Sequence, residues 1–470
     1  MGNKNILNLN RLWAFPFVFF FLFALKTELW IYKISPAITF EHLIFFIRAP
    51  IAGVAPDLIF SFLEQCILES AVLSILICYM FDTLCLIPYF KKKLSRYAAV
   101  YTKITALLFA ECLASFIYDK ADSLSDYITK DYSTFYEENF VTPTPEKITF
   151  TTKKNLLLIY LESMEETFGN SKFFAGSLIP DLQKLETEGS KLGTFINGYA
   201  SDFTQGSIVA AFCGVPSTNF IDFAELHPKQ AKNIWSLGKI LKDNGYSTHA
   251  VMGSYGWFHG TKLFLAEHGI DSVIDRSVIE KNPPENAVIN SWGYSDENTF
   301  SILKDKISRQ EQRPYFIMAI TIDSHFQYQP QDLNEENKFS DKYKNIIYNT
   351  NKVTAEFISW FKTQPDYKNT VIVIVGDHLR MGNDFEMPEQ RGIYNLFLNA
   401  PKPENTNRIF SQIDLFPTLI EAIGGNIDGH KLGLGTSLFS NEKTLAERFS
   451  QQELQNNLKK RNKLYDSLWR

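Results

Sequence analysis

Cysteine is scarce, and its placement excludes one way of holding a fold together. Of the five cysteines, Cys66, Cys78, Cys85 and Cys112 fall within the first 118 residues, and only Cys213 follows. From residue 119 onward there is no pair to oxidise, so that part must rely on a buried core. Charge is thin at the front: residues 1–118 hold 17 of the 99 charged side chains. An excess of positive charge is missing too, with 47 Lys and Arg against 52 Asp and Glu. No basic tract marks a nucleic-acid groove, and no nucleic-acid partner is expected. What is abundant is aromatic carbon, with 40 Phe in 470 residues. That length, with so uneven a spread of charge, points to more than one domain.

The front of the chain reads as a membrane domain over residues 1–118. Residues 12–32 contain a Phe-rich run with Lys26 and Glu28 only near its far end. About 20 apolar residues suffice to span a bilayer. The run lacks a small-residue cleavage site and reads as a retained anchor. A second span lies within 57–90, taken as about 66–90, with Glu64 and Glu69 toward one end. A third covers 97–118 and contains Glu111. Lys91-Lys-Lys-Leu-Ser-Arg96 separates the last two spans, and short basic loops stay cytoplasmic. With Lys4 and Arg11 on the same side, everything after residue 118 is expected outside the membrane. Residues 34–56 are apolar but broken by Pro50 and Gly53, and serve either as an interfacial segment or as a connecting loop. Glu111 is either a functional intramembrane acid or a partner for Lys103.

Residues 119–150 are polar, with Pro143 and Pro145, and suit a linker. Beyond them short apolar runs recur at 155–161, 249–252, 315–322, 370–375 and 395–398, the mark of strands buried on both faces. Helix-like stretches at 179–188, 236–244, 295–308 and 341–363 alternate with them. The alternation predicts a mostly parallel sheet flanked by helices over 151–440. Residues 441–470, with seven basic and four acidic side chains, read as an amphipathic tail, either touching anionic lipid or solvated.

In such sheets ligands bind beyond the carboxyl ends of the strands. The first run leads into Glu162-Ser-Met-Glu-Glu and the fourth into Gly376-Asp377-His378. Oxygen and nitrogen donors of this mix suit Mn²⁺, Mg²⁺ or Zn²⁺; the plainer alternatives are a helix cap at Glu162 and a turn at Asp377. Thr204, in Asp202-Phe-Thr-Gln-Gly206, stands near the start of an apolar helix, where exposed N–H groups attract an anion. It is either a nucleophile beside a metal ion or an ordinary N-cap. His325, in Thr321-Ile-Asp-Ser-His325, is placed to protonate a leaving group, to touch substrate, or to fill a structural role. His259 lies in the loop Ser254-Tyr-Gly-Trp-Phe-His-Gly, which suits a polar head group or simple packing.

These motifs, with Ser291-Trp-Gly-Tyr-Ser-Asp and Leu432-Gly-Leu-Gly-Thr-Ser437, resemble the alkaline-phosphatase/sulfatase superfamily in its membrane-anchored head-group transferase branch. The likeness runs from about residue 150 to 440 and is to phosphoglycerol transferases of periplasmic glucans and, more distantly, lipoteichoic acid synthases. It implies a sulfatase-like α/β fold in which Glu162, Thr204, Asp377 and His378 surround one divalent ion, Mn²⁺ first among the candidates. It further implies that Thr204 is the nucleophile, with His325, His259 and Arg391 contacting substrate. The implied reaction moves phosphoglycerol from phosphatidylglycerol to a glycan acceptor, in a multi-pass protein of the inner membrane with its catalytic domain in the periplasm. Cys213-Gly-Val-Pro-Ser does not fit the Cys-x-Pro-x-Arg pattern of true sulfatases. Phosphoethanolamine transfer to lipopolysaccharide is the alternative, and the lone Cys213 argues against it because that branch resembles a disulfide-rich one.

Overall fold

A computed structural model of the chain describes residues 14–34, 54, 56–86, 107, 110, 111, 114, 133–217, 234–325, 338–382, 385–460 and 462–469. It divides into two compact units, one formed mainly by residues up to Thr129 and the other mainly by residues from Lys130 onward. In the first unit, helix α1 (Ala14–Ile34) packs against a continuous helical stretch made of α2 (Pro56–Phe62), a π-helical turn (Leu63–Leu68) and α3 (Glu69–Leu86). Two windows, Phe15–Lys33 and Leu58–Met80, are long and apolar enough to cross a membrane. The second helical stretch therefore begins about ten residues before the expected 66. Of its acids, Glu69 is accommodated there by pairing with Lys26 of α1. One turn along, Trp30 Nε1 donates to Ser61 Oγ at 2.7 Å. Nearly all of the expected third span, the linker as far as residue 132, and nearly all of 34–56 lie outside the described residues.

The second unit is built on a six-stranded sheet. Its strands are β1 (Asn155–Leu161), β2 (Ser247–Met252), β3 (Ser272–Ile274), β4 (Tyr315–Ile320), β5 (Thr370–Gly376) and β6 (Asn395–Leu398), in the spatial order β3-β2-β4-β1-β5-β6. All pairings are parallel except the β5–β6 edge. Every residue of β1, β4 and β5 is buried, which is why these strands read as unbroken apolar runs. Around the sheet lie α4 (Thr204–Cys213), α5 (Leu237–Asp243), α6 (Asp296–Ser308), α7 (Lys342–Phe361) and α8 (Gln412–Ala422). The fold is the expected mostly parallel sheet with flanking helices. The sequence pattern missed β3, a three-residue edge strand whose side chains are all half-buried.

The tail differs from the single amphipathic helix expected. It forms three short helices, α9 (Leu445–Arg448), α10 (Gln451–Lys459) and α11 (Lys463–Leu468). They sink Leu445, Leu454, Leu458, Tyr465, Leu468 and Trp469 into the main core, beside Phe135 and Tyr136. Tyr465 lies with its ring 5.1 Å from that of Tyr136, and its hydroxyl donates to the Pro216 carbonyl at 2.7 Å. The apolar side chains of the tail are covered by protein.

Candidate active site

The two metal-type motifs meet because their strands are neighbours. Leu161 of β1 is in register with Gly376 of β5, so the residues that follow, Glu162 and Asp377, emerge side by side. The approach is close: a Cβ at Gly376 would lie 2.0 Å from the Met164 carbonyl oxygen. Only glycine fits there. The turn after β1 passes through Ser163 at φ 50°, a left-handed conformation held by hydrogen bonds. The Ser163 N–H donates to Asp377 Oδ1 at 2.8 Å, and its hydroxyl donates to Glu162 Oε1 at 2.7 Å. The Thr321 hydroxyl at the end of β4 accepts the Glu162 N–H at 2.9 Å, and Ser324 Oγ donates to the Glu162 carbonyl.

Glu162, Asp377 and His378 are all fully buried, and each offers a ligand atom within 4.8 Å of the others. His378 Nε2 stands 3.6 Å from Glu162 Oε1 and 3.4 Å from Asp377 Oδ2. The other ring nitrogen, Nδ1, is 2.9 Å from the Leu379 carbonyl, which fixes the ring so that Nε2 faces the acids. Thr204 is the first residue of α4, and its hydroxyl donates to Glu162 Oε2 at 3.2 Å. The loop before it folds tightly over the helix start, where a Cβ at Gly206 would meet the Ala200 carbonyl at 2.3 Å. All four expected residues thus converge on one place.

The donor set fits a divalent cation on its own terms. Asp377 Oδ2 and His378 Nε2 are buried with no hydrogen-bond partner, and buried polar atoms in native structures ordinarily have one. Two carboxylates share the pocket with one imidazole, so negative charge accumulates with little to offset it. Burial pushes the Asp377 carboxyl up to about 7, and the charge of Glu162 acts the same way, against His378 and two backbone N–H groups. Burial opposes charge on His378, yet Asp377 and Glu162 outweigh it and raise the imidazole. Asp202, two residues before Thr204, adds to that rise. Such a pocket holds protons until a cation displaces them.

The three remaining expected residues have different surroundings. His325 is nearly buried, with its ring 4.1 Å from that of Trp292, and it follows Ser324, whose hydroxyl bonds the Glu162 backbone. His259 sits at φ 54° with its ring edge-on to Phe203, the residue just before Thr204, at 5.8 Å. Arg391 forks onto Glu165, with Nε 3.0 Å from Oε2, and a terminal nitrogen also donates to the Arg380 carbonyl at 2.8 Å. Glu165 is itself fully buried and accepts the Arg380 N–H at 2.9 Å. Sequence reasoning missed Glu165, although it lies within the quoted Glu-Ser-Met-Glu-Glu run.

Also missed was Asp296, at the start of α6. Its buried carboxylate accepts the N–H groups of Ile322 and Asp323 at 2.7 and 3.1 Å and so shapes the His325 loop. Asp323 returns the contact by accepting the Asp296 N–H at 2.9 Å. The Ser-Asp pair beginning α6 was the signal, since an acid in a first turn reads as a helix-stabilising charge rather than as a clasp on a distant loop.

A sulfatase family model matches residues 154–425, the span that carries Glu162, Thr204, His325, Asp377 and His378. Phosphoglycerol transferase I of Salmonella typhi is 28% identical over 340 residues, which cover 68% of this chain and 42% of that protein. The chain therefore spans about two-fifths the length of the curated relatives it matches. Among solved structures, the lipoteichoic acid synthase LtaP of Listeria monocytogenes superposes with a TM-score of 0.51 at 20% identity, covering 68% of this chain and 81% of that one. The lipooligosaccharide phosphoethanolamine transferase of Neisseria meningitidis superposes with a TM-score of 0.50 at 14% identity, over 89% and 86%. Both likenesses are of fold.

Proposed function

This chain belongs to the sulfatase family, and from that premise we propose that it transfers a phosphoglycerol head group from phosphatidylglycerol to a glycan hydroxyl through a covalent intermediate on Thr204. The observation that carries the reading is the Thr204 hydroxyl 3.2 Å from Glu162, at the edge of a buried pocket of two acids and an imidazole. Residues Glu162, Asp377 and His378, with Thr204 beside them, would hold one divalent ion; Mn²⁺ is our choice, and Mg²⁺ and Zn²⁺ suit the same donors. When bound, such an ion lowers the pKa of an adjacent hydroxyl and offsets charge on a phosphoryl oxygen.

The chain's own residues supply the rest. Thr204 Oγ gives up its proton, for which Glu162 Oε2 is the acceptor in reach, and forms a bond to phosphorus. The bond from phosphorus to the diacylglycerol oxygen breaks, and that oxygen takes the proton Thr204 gave up as diacylglycerol leaves. A glycan hydroxyl then attacks phosphorus and gives its proton to Glu162, the bond to Thr204 Oγ breaks, and the threonine oxygen takes that proton. The start of α4 presents backbone N–H groups to the anionic group throughout. His325, backed by Trp292, and His259, against Phe203, are the substrate-facing imidazoles of this scheme; Arg391 reaches substrate only from its place beside Glu165.

The phosphoglycerol transferase relatives support the donor chemistry, and the two apolar helices support a membrane protein. We place the catalytic unit outside the inner membrane, in the periplasm, behind three spans with a basic loop inside. The test uses the full chain in detergent micelles or vesicles with Mn²⁺ and labelled phosphatidylglycerol, with phosphatidylethanolamine in parallel. Diacylglycerol release from phosphatidylglycerol is expected, together with a glycerophosphoryl adduct on Thr204. Thr204→Ala should lower the rate by at least about 10³-fold with no change in thermal stability beyond a few degrees. Release preferring phosphatidylethanolamine would replace the donor, and an active Thr204→Ala chain would remove the nucleophile.

A further inference from the structure

The cation ligands and the nucleophile come from different parts of the fold. Glu162, Asp377 and His378 are carried by the ends of β1 and β5. Thr204 is carried by a loop that leaves the small parallel ladder of Gly193–Phe195 with Arg408–Phe410. Helix α4 rests on the sheet further along, through Phe212 against Phe316 of β4 with ring centroids 6.0 Å apart, but the loop that leads into it must be held separately. One side chain from a third element bridges them.

Gln412 is the first residue of α8 and is fully buried. Its Oε1 accepts the Gly198 N–H at 2.8 Å. Its Nε2 donates to the Ser201 carbonyl at 3.3 Å and to the Asp377 carbonyl at 3.0 Å. A single carboxamide thus grips the nucleophile loop at two points and the backbone of a cation ligand at a third. A second carboxamide closes the seam from the loop side, as Asn197 Oδ1 accepts the Leu379 N–H at 3.1 Å. The loop between these grips is not relaxed backbone, since Ala200 lies at φ 53°. Its tight fit over Gly206 passes any displacement straight to the start of α4. Helix α8 is in turn anchored by a reciprocal cap between Ser411 and Asp414 and by extensive packing on α4.

We propose that Gln412 is a positioning residue that sets the Thr204 hydroxyl against the cation pocket, and that its use is in the chemical step rather than in holding the cation or the lipid. The inference rests on the Thr204 reading for its kinetic consequence but not for its structural one. A displacement of about 1 Å in a reacting group can cost about 10²-fold in rate. Loss of Gln412 removes the acceptor of one backbone N–H and the donor to two carbonyls. The β1 and β5 ends keep their own bonds, through Ser163, Thr321 and the His378 N–H on Asp377 Oδ1 at 2.9 Å.

The experiment compares the full chain with its Gln412→Leu and Gln412→Glu variants. The first deletes all three bonds; the second keeps the Gly198 acceptor and removes the donor. Thr418→Val serves as a control, because Thr418 lies on the same helix and bonds the Leu438 N–H rather than the loop. For both Gln412 variants kcat on phosphatidylglycerol is expected to fall by roughly 10–100-fold, with KM and Mn²⁺ affinity within about twofold of the parent. In the metal-free chain, hydrogen exchange over 196–206 should quicken in Gln412→Leu, while β1 and β5 stay protected. Thr418→Val should leave kcat and that exchange unchanged even where it lowers thermal stability. Unchanged kcat in a folded Gln412→Leu chain would overturn the proposal, as would unchanged exchange over 196–206, or Mn²⁺ affinity falling in step with kcat. If Thr204→Ala proves active the nucleophile reading fails, and the metal-free exchange still decides whether Gln412 holds the loop.

Discussion

Asp377 shows how a single carboxyl can tie cation binding to acidity. Its pKa is pushed up to about 7, by burial first and by Glu162 second, so below that value a proton occupies the place a cation needs. His378 is raised as well and competes in the same direction. Cation affinity should therefore weaken as pH falls through about 7, by up to tenfold per pH unit for each proton displaced. Calorimetry of Mn²⁺ binding to the full chain between pH 8 and 6, in buffers of different ionisation enthalpy, should show both the weakening and proton release. A flat affinity over that range would mean that these groups are already deprotonated before the ion arrives. Arg391 teaches a different lesson at this scale. Its guanidinium is committed to a fully buried carboxylate, so its removal would strand Glu165 and disturb the fold as well as any substrate contact.

Among the elements, β1 and β5 carry the site, and their success depends on how closely they finish. Gly376→Ala would bring a methyl group to within 2.0 Å of the Met164 carbonyl oxygen, which is backbone and cannot swing aside. The strand ends would have to separate, at a cost of about 1–3 kcal/mol. Glu162 and Asp377 would separate with them. The variant is expected to lose Mn²⁺ affinity by more than its loss of thermal stability explains, as read by calorimetry beside a melting curve. This part of the site was legible in the sequence, because an apolar run that stops at Glu162 or at Asp377-His378 announces a strand end and a ligand together. Thr204 was legible only through resemblance, since a threonine before a helix is an ordinary cap. Gln412 was not legible at all. A glutamine opening an amphipathic helix has no local pattern to mark it, and its three partners lie at least 35 residues away in sequence.

At the scale of the sulfatase-family unit, the ladder that leads to the Thr204 loop is pinned from behind. Arg408 is nearly buried, and its Nε donates to Glu447 of α9 at 2.7 Å, while a terminal nitrogen donates to the Ser440 carbonyl at 2.6 Å. Burial opposes the charge on Glu447, but Arg408 and two backbone N–H groups more than compensate, and its carboxyl stays below the usual range. Glu447→Gln should destabilise the unit by roughly 1.5–3 kcal/mol, seen as a lower melting temperature in the full chain, with little change in Mn²⁺ affinity. What covers the tail that carries Glu447 was not legible in its composition for a simple reason. Amphipathic spacing states that one face is apolar but not what covers it, and the cover comes from Phe135 and Tyr136, some three hundred residues earlier.

That long return has a kinetic side. The rings of Tyr136 and Tyr465 can meet only after almost the whole unit has been synthesised, and contacts so remote in sequence are slow to find one another. A nascent chain lacking its final helices would display Leu, Tyr and Trp pockets to solvent, a state prone to self-association. Folding of this unit is therefore expected to finish late and all at once, and to lean on whatever shelters incomplete chains in the compartment where it matures.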